Sequence, residues 1–168
     1  MVVQLRKDTD KLQVQLARAI TVATIAHEGQ YDKAGKAYIL HSLRIMMSMN
    51  SNDIKGQIVA ILHDVIEDTD VNMKSLKSEE FDEDIYEALN LLTHDLNVPY
   101  NDYIVNIKTN ELATRVKIGD LLDNTRLDRL IKNEKLDKTT RRMVKYVCAY
   151  KFLTDQITEE EFLNYNAK

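Results

Sequence analysis

The stretch Ile58–Thr69 reads IVAILHDVIEDT, and its pattern decides how the chain is organised. Set on a helix at roughly 100° per residue, His63, Asp64, Glu67 and Asp68 fall within one arc of about 140°. Ile58, Val59, Leu62, Val65 and Ile66 take the other side. A solvated helix face ordinarily mixes charges of both signs. Three carboxylates and an imidazole this close repel one another unless a cation lies among them. A divalent metal meets that need. Two adjacent helix residues cannot fill its coordination sphere, so further ligands must come from elsewhere in the chain.

The rest of the sequence is consistent with a single all-α domain. The chain has 168 residues, long enough to bury a sizeable core, and its four Gly and one Pro leave few tight turns. A hydrophobic share of 44% and a charged share of 30% are those of a soluble globule. The net charge of -4 and the absence of a long basic run argue against duplex nucleic acid as a partner. No apolar run is long enough for a membrane span or a signal core, which places the protein in the cytoplasm. Cys148, in MVKYVCAY, reads as a small buried hydrophobe.

Taken in order, Asp8 or Thr9 caps a first helix running to about Glu28, with Leu12, Leu16, Ile20, Ala23 and His27 at helical spacing. The polar loop Gly29–Lys36 follows, and its Lys33 and Lys36 can meet phosphate or stay solvated. A second helix spans about Tyr38–Met49. His41, beside Ile39, Leu43 and Ile45, reads there as structural and stays outside the metal set. Ser51 or Asn52 caps the central helix, whose Gly56 lets a neighbouring helix come close. Further helices open at Asp82–Asp84, ending at a structural His94, and after Pro99. Another runs over Thr109–Leu127, where Asp120 interrupts an apolar face with Asn124 one turn on. Asp120 is costly in that setting unless it pairs with Arg115 or Lys117 or binds metal. The tail adds a helix over Lys138–Leu153 and a short one opened by the capping-box pair Thr158 and Glu161.

His27, the His63–Asp64 pair and the isolated Asp120 together form an H...HD...D set at positions otherwise reserved for core. With the strings AHEGQ, AGKAYILHSLR, AILHDVIEDT and VKIGDLLDN, the chain resembles the HD-domain metal-dependent phosphohydrolases. Within that superfamily it resembles most the (p)ppGpp hydrolase domain of RelA/SpoT-type proteins and their small stand-alone homologues, over about Leu12–Tyr150. The resemblance implies a single HD-domain helical bundle and His27, His63, Asp64 and Asp120 as ligands of one divalent ion, usually Mn²⁺. It also implies Glu67 and Asp68 as the catalytic pair, and Lys33 and Asn124, with Lys36 beside them, as substrate contacts. The implied activity is hydrolysis of a nucleotide with release of pyrophosphate from its 3′ position. Asp32 stands where those hydrolases commonly carry a basic residue, and Ala37 and Ser42 replace prolines. The Asp32 departure favours a rival within the superfamily, a nucleotidase or a hydrolase of another nucleotide. A non-catalytic nucleotide-sensing module is the rival of a different class, against which the intact Glu67 and Asp68 speak.

Overall fold

The computed structural model describes residues 2–32, 34–129 and 135–165, with residues 2–9 described by their backbone alone. Among the described residues the regular structure is helical, in the order α1 (Val2–Ala26), α2 (Ile39–Ser48), α3 (Ile54–Leu62), α4 (Val65–Asp68), α5 (Met73–Lys77), α6 (Glu83–Leu92), α7 (Tyr100–Lys108), α8 (Glu111–Asn124), α9 (Leu136–Leu153) and α10 (Glu159–Tyr165). A single-residue bridge, Tyr31 to Ala37, closes the loop between α1 and α2. That loop turns at Gly29 and Gly35, whose φ values of 75° and 78° lie in the left-handed region that glycine adopts without strain. None of the described helices is long and apolar enough to cross a membrane.

Helix α3 is the axis of the bundle because its sequence is oily on every side: Ile58 through Leu62 are completely buried. It packs against α1, α2, α6 and α8. Asp53, rather than Ser51 or Asn52, caps it, with Oδ1 accepting from Gly56 N at 3.0 Å. Gly56 is required by that cap and not by a neighbouring helix, since a Cβ there would meet the Asp53 carboxylate at 2.4 Å. The close approach falls instead at Gly119 on α8, where a Cβ would lie 2.8 Å from Met49 Cε and 3.1 Å from Ile45 Cγ2. The missing side chain lets α8 lie against α2, which brings His41 to the aspartates of α8.

Two further differences from the sequence reading matter. Helix α1 begins at Val2, so Asp8 and Thr9 lie inside it rather than at its start. IVAILHDVIEDT is not one continuous helix, because the chain breaks at His63 and Asp64 between α3 and α4. The Ala60 carbonyl is the i−4 acceptor that Asp64 N–H would use in an unbroken helix, and it lies 2.8 Å from His63 Nδ1. The capping box at the start of α10 forms as expected, with Thr158 N donating to Glu161 Oε2 at 2.8 Å and Glu161 N to Thr158 Oγ1 at 3.2 Å.

Asp82, just before α6, ties that helix to α1. Its Oδ1 accepts from Lys11 Nζ at 2.6 Å and Gln15 Nε2 at 3.0 Å. These bonds hold its carboxyl down from an ordinary 3.8 to about 2. Because the folded-state value is the lower one, the stabilisation is present above about pH 4 and is lost as pH falls toward 2. Asp82→Asn is therefore expected to melt below the parent at neutral pH, and the gap to narrow between about pH 4 and 2. A gap independent of pH in thermal melts would show that the charge contributes nothing.

Candidate metal centre

His41, His63 and Asp120 converge on one point from three elements, and one ligand atom of each lies within 4.8 Å of the others. All three are buried, at 3%, 3% and 5% exposure. Asp64 stands at the edge of the group, its Oδ2 3.0 Å from His63 Nε2 and 3.6 Å from His41 Nε2. Asp120 Oδ1 lies 3.2 Å from His41 Nε2 and 3.8 Å from His63 Nε2.

Hydrogen bonding on the far side of each ring shows what the group can hold. His63 Nδ1 faces the Ala60 carbonyl, which only accepts, so that nitrogen carries the proton. His41 Nδ1 faces Asp123 Oδ2 at 2.6 Å and donates in the same way. In the neutral rings both Nε2 atoms are then bare lone pairs turned toward carboxylate oxygens. His63 Nε2 is buried without a hydrogen-bond partner. The two bare Nε2 atoms have nothing to accept from the carboxylate oxygens they face, a cation between them would satisfy both, and two imidazoles with two carboxylates are a donor set suited to a divalent ion. Without a metal the site draws in protons instead. Burial alone would lower the His63 pKa, but Asp64 and Asp120 overcome it and push it up to about 10. Asp120 is held well below the carboxylate range, since Lys117, His41 and His63 outweigh its burial.

Of the four ligands expected from the sequence, His63, Asp64 and Asp120 meet, and His27 stands outside the cluster. His27 follows the end of α1, and its Nδ1 lies 2.8 Å from Gln30 Oε1 while Gln30 Nε2 donates to the Asp68 carbonyl at 2.7 Å. Its ring lies against Tyr38 at 4.8 Å, and Tyr38 in turn meets His41 edge-on at 5.8 Å. The place assigned to His27 is filled by His41. Asp120 has both of the fates foreseen for it, since it also accepts from Lys117 Nζ at 2.9 Å. Arg115 goes elsewhere, to Asp53.

A cavity of about 710 Å³ opens beside these groups. Glu67 and Asp68 line it. Glu67 is exposed, and its Oε2 accepts from His94 N at 3.0 Å. Partial burial raises its pKa, the His94 N–H pulls it back, and the charges of Asp64 and Asp68 push it up again. Asp68 is differently placed. The Tyr38 hydroxyl lies 2.6 Å from Asp64 Oδ2 and 2.7 Å from Asp68 Oδ2, and its single proton serves one carboxylate at a time. Asn124 lines the cavity, with Nδ2 donating to Asp120 Oδ1. Lys36 is exposed and is not among the residues lining it, and Lys33 lies outside the described residues. Four cations line the cavity on the α8–α9 side: Lys117, foreseen as a partner of Asp120, and Arg129, Arg142 and Lys145, which the sequence did not single out. Asp32 also lines the cavity, and its Oδ1 accepts from Ala34 N and Lys36 N at 2.9 Å each, so the carboxylate holds its own loop.

The fold has a match among solved structures. Over 89% of this chain and 92% of the other, it superposes at a TM-score of 0.65 and 22% identity on a metazoan ortholog of SpoT that hydrolyses ppGpp. The chain has the HD-domain fold of a SpoT-type hydrolase. In sequence, 84 residues are 36% identical to the guanosine-3′,5′-bis(diphosphate) 3′-pyrophosphohydrolase of Borreliella burgdorferi, and 64 residues are 42% identical to that of Vibrio cholerae. These matches cover 48% and 36% of this chain, but only 12% and 9% of those proteins. No family model matches the chain. The chain is thus similar in sequence and in fold to (p)ppGpp hydrolases over part of their length, and its buried His41, His63 and Asp120 form a group that could hold a metal ion.

Proposed function

We propose that the chain is one metal-dependent phosphohydrolase domain that removes pyrophosphate from the 3′ position of a (p)ppGpp-type nucleotide. Its ligands in this reading are His41, His63, Asp64 and Asp120, and its ion is Mn²⁺. The observation that carries the reading is the convergence of those four side chains, with both imidazole Nε2 atoms turned toward carboxylate oxygens, beside a cavity that Glu67 lines and whose α8–α9 side carries Lys117, Arg129, Arg142 and Lys145. A divalent ion bound there supplies hydroxide near neutral pH and polarises a phosphoryl oxygen.

The chain's own side chains do the remainder. Glu67, held by the His94 N–H and raised in pKa by its setting, takes the proton of the attacking water at its free carboxylate oxygen. Asp68 keeps Tyr38 in place against Asp64. Arg142 and Lys145 offset the charge of phosphates away from the reacting phosphorus, and Asn124 holds Asp120 while lining the substrate space. Lys33 remains a proposed substrate contact on the strength of the family resemblance. Lys36 is dropped from the site, since its side chain is exposed away from the cavity lining. A small nucleotide substrate and a lone buried Cys148 fit a cytoplasmic setting.

Asp32 favours a second reading, in which the same chemistry acts on a different nucleotide, because it places a carboxylate where an anionic substrate would gain from a cation. A hydrolysis screen with Mn²⁺ over guanine and adenine nucleotides carrying 3′ or 5′ diphosphates separates the two. Pyrophosphate released from the 3′-diphosphate of a guanine nucleotide is the expected result. Orthophosphate release, or a preference for another nucleotide, supports the second reading, and no product from any of them overturns both.

A further inference from the structure

Asp123 lies on α8 one turn beyond Asp120, is 6% exposed, and has no role in the function described so far. Its surroundings are unusually well determined. Arg44, one turn beyond His41 on α2, grips it with both arms of its fork, Nε to Oδ1 at 2.7 Å and Nη2 to Oδ2 at 3.0 Å. Arg129 Nη1 donates to Oδ2 from the other side, and His41 Nδ1 sits 2.6 Å from that same oxygen. Burial opposes the charge on Asp123, but His41 and the two guanidiniums hold it far below the usual carboxylate range.

The competing arrangement would have His41 Nδ1 accept from Arg129 Nη1, 2.8 Å away. The carboxylate beside the ring excludes it, because a bare Nδ1 would face the lone pairs of Asp123 Oδ2 at 2.6 Å. A guanidinium Nη carries two N–H groups, and those of Arg129 Nη1 are taken by Asp123 Oδ2 and by Asn124 Oδ1 at 3.0 Å. The His41 Nδ1 proton can only point at Asp123.

We propose that Asp123 is a positioning residue for the metal centre: gripped by Arg44 and Arg129, its carboxylate fixes His41 in the tautomer and orientation that turn a bare Nε2 toward Asp120 and Asp64. Carboxylates placed behind metal-binding imidazoles work in this way, and losing one costs about 10–100-fold in metal affinity. The inference rests on the metal-site reading above and adds to it the residue that sets the fourth ligand. The Arg44 fork has a purpose here beyond charge balance, because two anchored oxygens leave the carboxylate no freedom to rotate away from the ring.

Two measurements test it. Mn²⁺ titrated calorimetrically into metal-stripped protein is expected to bind Asp123→Asn about 10–100-fold more weakly than the parent. In ¹⁵N-histidine-labelled parent loaded with diamagnetic Zn²⁺, long-range ¹⁵N–¹H spectra are expected to show His41 protonated at Nδ1 and coordinated at Nε2. The second needs no variant, so it can still overturn the proposal if Asp123→Asn fails to fold. Affinity of the folded variant within about threefold of the parent overturns the proposal, as does a His41 bearing its proton on Nε2. A parent that binds neither ion defeats the metal centre itself, and Asp123's role falls with it.

Discussion

Asp120→Ala is expected to lose the metal and the turnover together. Asp120 supplies one of the two carboxylates of the centre, and its Oδ1 stands within 4 Å of both imidazole Nε2 atoms. Removing it leaves one carboxylate facing two rings, a weak set for a hard divalent ion. Loss of the ion removes several kcal/mol of transition-state stabilisation, a rate loss on the order of 10³-fold or more. The same change leaves the half-buried Lys117 ammonium without the carboxylate it bonds at 2.9 Å, which destabilises the fold as well. Asp120→Asn keeps the shape and spares part of that cost, so the two variants separate loss of metal from loss of fold. Elemental analysis of both, beside thermal melts, checks the prediction, and stoichiometric metal in either folded variant removes Asp120 from the ligand set. Metal affinity in the parent should also depend on pH with a definite sign. His63 is pushed up to about 10 when metal-free, so the ion must displace a proton at neutral pH, and binding should tighten as pH rises and weaken as it falls.

Glu67→Gln is expected to leave the metal in place and remove most of the rate, by about 10²–10⁴-fold. Glu67 is one turn beyond the His63–Asp64 pair, lines the cavity, and makes no contact with His41, His63 or Asp120 among the bonds described. A glutamine retains an oxygen for the His94 N–H but cannot take a proton. The effect should therefore fall on kcat, with metal content and melting temperature close to the parent. An unchanged kcat at saturating Mn²⁺ would take Glu67 out of the chemistry. The raised pKa of Glu67 adds a pH signature: the acid limb of the rate profile should lie above the ordinary glutamate range, because the carboxylate must be ionised to act.

The sequence carried the fold well, because helical periodicity and capping are local properties. The cap at Thr158, the acidic start of α6 and the break at Pro99 are each decided within a few residues. The choice between His27 and His41 could not be made that way. Both sit on apolar helical stripes, and which one faces Asp120 depends on how α2 meets α8, a contact set by the missing side chain of Gly119. His41's partner Asp123 is 82 positions away. A signal was nevertheless present: His41 with Arg44, and Asp120 with Asp123, are i,i+3 pairs that put an imidazole with a cation, and two carboxylates, on single faces. The interruption at His63 and Asp64 was hidden for a related reason, since a side-chain bond to the Ala60 carbonyl leaves no trace in periodicity. The helix over Lys138–Leu153 shows no chemical constellation in its sequence, and only the fold turns its Arg142 and Lys145 into the cavity wall.

The central claim is that His41, His63, Asp64 and Asp120 clasp one divalent cation. Anomalous diffraction at the manganese edge from crystals soaked in Mn²⁺ tests it most directly. The account predicts a single strong peak, about 2 Å from His41 Nε2, His63 Nε2 and an oxygen of each aspartate. A peak coordinated by His27 in place of His41, or none among these side chains, would contradict it.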